Sequence, residues 1–200
     1  MTTHAPLAAG DAAPNFDLES DDGKHRSLAD FKGKWLVLYF YPKDDTPGCT
    51  REAQGFSAAA ARLAKLGAQV AGVSKDSIKS HCTFRDKYGL KFPLLSDPDL
   101  ATHTAYGAWG EKTLYGRKFE GTIRSTFLVA PDGTLARAWR SVKVDGHVDA
   151  VIAQLSGDTG DKRGGKGGAR PAPKKAAKKA APAAKKTAPK KAAKKRAGAR

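Results

Sequence analysis

All of the net charge on this chain sits in one segment, and that split decides which part can fold. Lys and Arg number 36 against 20 Asp and Glu, a formal +16. Residues 162–200 hold 12 Lys, 4 Arg and no acidic side chain, so the preceding 161 residues are neutral overall. The basic segment consists of Gly, Ala, Pro and paired Lys without an aromatic side chain, and it has too little to bury to offset its ordering entropy. The sequence therefore predicts one folded domain over 1–157 and a disordered basic tail over 158–200.

Two cysteines in the whole chain exclude a disulfide-stapled secreted scaffold and a four-cysteine zinc site. The longest apolar run, 35–41, has seven residues, far short of the ~20 that a membrane-spanning helix needs. The N-terminus MTTHAPLAAGDAAPNF lacks a basic stretch followed by an apolar one, so no secretory signal is expected. These features point to a reducing cytoplasmic setting, with the nucleoid as a place for the tail to act.

Within the folded part, short β-rich runs alternate with helical patterns, which predicts an α/β domain around a mixed sheet. Residues 35–41 (WLVLYFY) read as a strand buried on both faces. A helix is expected over 52–66, a strand over 69–74 and a second helix over 77–88, the helices stopping at Gly67 and Gly89. Strand, helix, strand, strand and helix follow at 93–96, 99–106, 125–129, 135–141 and 148–155. Hairpins are expected at the PDG of 131–133 and around the DDG of 21–23.

The chemistry concentrates in PKDDTPGCTREA (42–53), which puts Cys49 at the first turn of a helix. A thiol there faces unpaired backbone N–H groups and the positive end of the helix dipole, surroundings that favour thiolate. Gly48 admits close backbone approach, Pro42 and Pro47 restrict the loop, and Thr46 brings a hydroxyl within reach of the sulfur. A lone cysteine is otherwise a small buried hydrophobe, and that plain reading stays open on these residues alone.

The segment YFYPKDDTPGCTREA (39–53) resembles the active-site stretch of the peroxiredoxins, with their P-x-x-x-T-x-x-C motif. Its flanks are similar to the bacterioferritin comigratory protein, or Q-type, branch. That likeness continues through GVSKDS (72–77), KYGL (87–90), FPLLSD (92–97), YGAW (106–109) and GTIRSTFLV (121–129), and leaves out the tail. The resemblance implies a thioredoxin-like fold and a thiol peroxidase without a cofactor or metal. It implies that Cys49 is the peroxidatic cysteine, that Thr46 and Arg124 orient and polarise a hydroperoxide, and that Pro42 shields the sulfur. Arg124 suits its role physically, since a guanidinium stays charged and offers five donors. Taken alone it reads as a strand-edge arginine, and Pro42 as a strand stop.

Many members of this branch carry a second cysteine five residues after the first, and here that position is Gln54. Others place it on the following helix, about one turn beyond Cys82, the only other thiol in the chain. The resemblance thus implies a Cys49–Cys82 disulfide, formed after local unwinding and reduced by thioredoxin or a similar dithiol, in a monomer. A one-cysteine enzyme resolved by an external thiol is the alternative. A metal site built on His81, Cys82 and His103 has no zinc-type spacing. A Cys–His hydrolase lacks a signature, and a C-x-x-C oxidoreductase fails at Glu52.

The tail looks like that of a linker histone. Lys174, Lys175, Lys178, Lys179, Lys185, Lys186, Lys190, Lys191, Lys194, Lys195 and Arg196 are the candidate nucleic-acid contacts. Each cation that neutralises a phosphate releases counterions, so the expected partner is DNA, bound through its backbone and without sequence preference. The alternatives for the tail are a solubilising extension, attraction to acidic membrane lipids or a nuclear import signal, and for the whole chain a DNA-binding protein whose folded domain is no peroxidase.

Overall fold

The computed structural model describes residues 7–114 and 117–157. The expectations placed on the tail, from Lys174 to Arg196, lie outside the described residues.

Strand β3 (Trp35–Phe40) organises the domain. Every second residue faces one side: Leu36, Leu38 and Phe40 join a core with Phe16, Phe31, Val73, Leu95, Tyr106 and Phe127. Val37 and Tyr39, with Tyr41 just beyond, join a second core with Phe56, Leu63, Phe84, Leu128 and Ile152. Both faces are covered, which is why this strand reads as an unbroken apolar run rather than an alternating one.

The sheet has seven strands in the order β2-β1-β5-β4-β3-β8-β9. From β3 the chain crosses through α1 (Pro47–Lys65) to β4 (Ala68–Ser74), then through α2 (Ile78–Tyr88) to β5 (Leu94–Ser96), and these three strands are parallel. On the β5 side, β1 (Asp17–Ser20) and β2 (His25–Ser27) form the expected antiparallel hairpin. On the β3 side, β8 (Ser125–Val129) and β9 (Leu135–Arg140) form the other, turning at residues 131–133. The short α3 (Ala101–Ala105) sets His103 edge-on against Phe40 and is followed by Tyr106 of the first core, and α4 (His147–Leu155) packs with α1 over the second. This is the thioredoxin-like α/β arrangement. Among the described residues no helix is long and apolar enough to cross a membrane.

Three local features differ from expectation. Helix α1 begins at Pro47, five residues before the apolar periodicity starts, because proline's missing N–H costs nothing at the first helical position and Thr46 supplies an extended N-cap. Strands β6 (Trp109–Leu114) and β7 (Arg117–Thr122) pair as a separate antiparallel ribbon. They were invisible as a pattern because Gly110, Lys112, Phe119 and Gly121 give no clean alternation, and Phe119 is exposed. A 3-10 turn over Leu28–Phe31 buries its two end residues.

Gly72 on β4 shows how tightly the second core is filled. A Cβ built there would lie 2.8 Å from Tyr39 Oη and 3.0 Å from a Leu94 methyl, closer than packed atoms approach. Replacing Gly72 with Ala is expected to lower unfolding free energy by about 1–3 kcal/mol, measured by denaturant melts against the unaltered chain.

Candidate active site

The register of β3 against β8 creates the site. Phe40 pairs with Ser125, so the residue before Ser125 stands beside the loop that leaves β3 at Tyr41. That residue is Arg124, whose carbonyl is fixed by the Val142 N–H at 2.9 Å. The loop then runs to Thr46, and α1 starts with Pro47, Gly48 and Cys49. A Cβ on Gly48 would meet Arg124 Nη2 at 3.5 Å, an ordinary packing distance, so the guanidinium lies directly against the first turn of α1.

Arg124 Nη2 donates to Cys49 Sγ at 3.3 Å, and its Nη1 donates to Glu52 Oε2 in an ion pair. Cys49 is 1% exposed and the Glu52 side chain is fully buried. Cys49 and Glu52 are three residues apart on α1 and so share a face, which lets one guanidinium span both. Burial pushes the Glu52 carboxyl up, with Arg124 opposing, and the net result lies above the usual carboxylate range. Burial works against the charge of Arg124, but Glu52 and Cys49 more than restore it. Lys112 of β6 is a second cation in this field. Its Nζ donates to the Thr122 carbonyl at 2.5 Å, and burial and then Arg124 hold it below the usual lysine value while Cys49 acts the other way.

The Thr46 hydroxyl, expected to reach the sulfur, donates instead to the Lys43 carbonyl at 3.1 Å. That bond occupies the hydroxyl proton and leaves the oxygen free to act as an acceptor. Pro42 is half-buried at the start of that loop.

The loop is fastened from behind by Asp44. Its carboxylate accepts from Tyr41 Oη at 2.7 Å and Ser80 Oγ at 2.7 Å, and pairs with His81 Nδ1 at 2.8 Å. The Asp44 N–H donates to Asp76 Oδ2 at 2.8 Å. Burial pushes the Asp44 carboxyl up, but the His81 hydrogen bond and charge, with the two hydroxyls, hold it below its ordinary value. The two histidines weighed as metal ligands are thus each committed to a separate buried aspartate, since His103 Nδ1 pairs with Asp97 Oδ2 at 2.6 Å.

Both thiols are free. Cys82 is on α2, but its Sγ donates to the Asp21 carbonyl at 3.1 Å, toward the β1–β2 turn. The structure therefore brings Cys49 and Arg124 together and turns Cys82 elsewhere. Glu52 and Asp44 were missed as site residues. A buried acid within three residues of a cysteine on one helix turn was the available signal for the first, and nothing local marked the second.

His147, at the start of α4, bonds Thr126 Oγ1 at 2.8 Å and packs edge-on against Phe56 and Trp139. Burial, reinforced by the charge of Arg124, pushes it from 6.5 down to about 4. A histidine held neutral in the fold binds its proton more readily when unfolded. Stability is thus expected to fall as pH drops from about 6.5 to about 4, by on the order of 2 kcal/mol from this group. Urea melts of the protein and of His147→Gln across that window test this, with the variant expected to show a shallower slope.

A model of the AhpC/TSA family matches residues 9–138. A Coxiella burnetii protein called putative peroxiredoxin bcp is 48% identical over 149 residues, 74% of this chain and 99% of that one. A peroxiredoxin Bcp of Xanthomonas campestris is 47% identical over 153 residues, 76% and 96% of the two chains. Among solved structures, the Xanthomonas campestris bacterioferritin comigratory protein, described for its alkyl peroxide reduction activity, superposes with a TM-score of 0.70 at 45% identity, covering 78% of this chain and 99% of that one. The Mycobacterium tuberculosis BcpB structure gives 0.67 at 29% identity, covering 76% and 97%.

Proposed function

The chain belongs to the AhpC/TSA family, as a thiol peroxidase of the peroxiredoxin Bcp/Q branch, and from that membership we propose that Cys49 is the sulfur that attacks the peroxide. The observation that carries this reading is the single guanidinium of Arg124 held at once against Cys49 Sγ and the buried Glu52. A thiolate attacking one peroxide oxygen breaks the O–O bond, gives up two electrons and becomes a sulfenic acid. The other oxygen departs as hydroxide or alkoxide and takes up a proton. Arg124 is placed to stabilise the thiolate before reaction and the departing oxygen during it, a preorganised arrangement that costs no rearrangement at the moment of bond cleavage. Thr46, its own proton spent on Lys43, accepts the O–H of the incoming hydroperoxide. Pro42 shelters the sulfur from bulk water.

Hydrogen peroxide and organic hydroperoxides are the substrates of this reading, and the Xanthomonas relative's alkyl peroxide reduction supports the second class. Cys82 resolves the sulfenic acid. Its sulfur attacks that of Cys49, the S–O bond gives way to S–S, and water leaves. Thioredoxin or a similar dithiol then reduces the disulfide of the monomer. The tail binds DNA through phosphate, without reading sequence, and keeps the scavenger near a target of oxidative damage. The charge of +16 confined to residues 162–200 supports this second activity.

Cys49→Ser is expected to abolish peroxide consumption. Arg124→Ala should slow Cys49 oxidation by about 10²–10³, the loss typical of one preorganised donor, with Arg124→Lys recovering only part. Stopped-flow oxidation at fixed peroxide reads all three, and an unchanged Arg124→Ala rate overturns the assignment. Truncation after Gly157 separates the two activities. Peroxidase turnover should persist, while retention on DNA, steeply weakened between about 50 and 200 mM salt for the full chain, should vanish.

A further inference from the structure

Helix α2 is held on two faces by two buried aspartates, and the backbone carbonyl of the second accepts from the resolving thiol. At a rotation of 100° per residue, Ser80, His81 and Phe84 share the face turned to the active-site loop and the second core. Ser80 and His81 bond Asp44, and Phe84 packs in the cluster that holds Cys49. Cys82 and Arg85, three residues apart, share the adjoining face and converge on Asp21 in the β1–β2 turn. Cys82 Sγ donates to the Asp21 carbonyl at 3.1 Å. Arg85 Nη1 donates to the same carbonyl at 3.3 Å and to Asp21 Oδ2 at 2.8 Å. Asp21 itself is held from several sides. Its Oδ1 accepts from the Leu94 N–H at 3.0 Å and from Ser20 Oγ at 3.0 Å, its N–H donates to the Leu94 carbonyl at 3.0 Å, and its side chain is 2% exposed.

Resolution of the Cys49 sulfenic acid needs the two α-carbons within ~7 Å, and Cys82 faces the wrong way while this clamp is closed. We propose that Asp21 and Arg85 are positioning residues for the second half of the reaction: their clamp holds Cys82 away from Cys49, and its opening sets how fast the disulfide forms. This rests on Cys82 being the resolving cysteine. The clamp acts only after peroxide has reacted. Neither residue touches Cys49, Thr46, Arg124 or the loop between β3 and α1, so the first step proceeds at the same rate whether the clamp is open or closed. A slow release lengthens the life of the sulfenic acid and exposes it to a second peroxide, which drives it to sulfinic acid.

The test uses the full chain, Arg85→Gln and, as a second variant acting from the other side, Asp21→Asn. One equivalent of hydrogen peroxide is mixed with reduced protein, samples are acid-quenched and alkylated, and the Cys49–Cys82 peptide is followed by mass spectrometry. Hydrogen exchange at the α2 amides is read in parallel. The expected result is disulfide formation about five- to tenfold faster in Arg85→Gln, the worth of a half-exposed charge-assisted hydrogen bond. Cys49 oxidation should be unaltered, α2 exchange faster, and sulfinic acid at excess peroxide reduced. A purely structural role would lower thermal stability without changing the disulfide rate. If wild type forms the disulfide and neither variant is faster, the clamp is overturned and the resolving role of Cys82 stands. If wild type forms no Cys49–Cys82 peptide, the resolving role falls and the gate falls with it.

Discussion

One partly buried guanidinium organises the end of the sheet where Cys49 lies. Arg124 is inserted between the sulfur of Cys49 and the carboxylate of Glu52, with little solvent to screen it. A charge in such a place is tolerated only when a partner of opposite sign and good geometry meets it. Glu52 supplies that partner permanently, which leaves the second edge of the fork to serve whatever forms at the sulfur. The price of holding Glu52 in the core is visible in its raised carboxyl and in Oε1, which is buried without a hydrogen-bond partner among the described residues.

The sheet delivers those groups to one place by register rather than by proximity in sequence. Arg124 and Cys49 are 75 positions apart. They meet because β8 runs antiparallel to β3 with Ser125 opposite Phe40, so the chain entering β8 and the chain leaving β3 share one end of the sheet. A shift of one residue in that pairing would turn every β8 side chain to the opposite face and carry Arg124 away from the sulfur. The apolar filling of both cores, down to the notch that Gly72 leaves for Tyr39, is what forbids the shift.

The polar contacts of α2 suit a different need. Asp44 ties its first turns to the active-site loop and Asp21 ties the side that bears Cys82 to the β1–β2 turn. Hydrogen bonds to buried carboxylates are strong enough to fix a helix, yet they can be released one at a time without dismantling an apolar core. On the proposed reading, the first half of the cycle needs a rigid pocket and the second needs Cys82 to travel. Beside the Phe84 ring packed in the second core, discrete polar contacts of this kind meet both.

Much of this was legible in the residues themselves. Strand β3 announced itself by its unbroken apolar run, both outer hairpins by their Asp-Gly turns, and the first turn of α1 by Pro-Gly-Cys. These are local signals, set by propensity and spacing within about a dozen residues. The β6–β7 ribbon escaped because its pairing is held by the backbone ladder more than by an apolar face. The bridging of Glu52 and Cys49 by Arg124, the Asp44–His81 pair and the turning of Cys82 to Asp21 join segments 37 to 75 positions apart. The sequence by itself determined which chemical groups the chain owns and which local elements carry them. The tertiary structure decided which of those groups face one another, because sheet register and helix rotation are fixed only when both apolar cores close together.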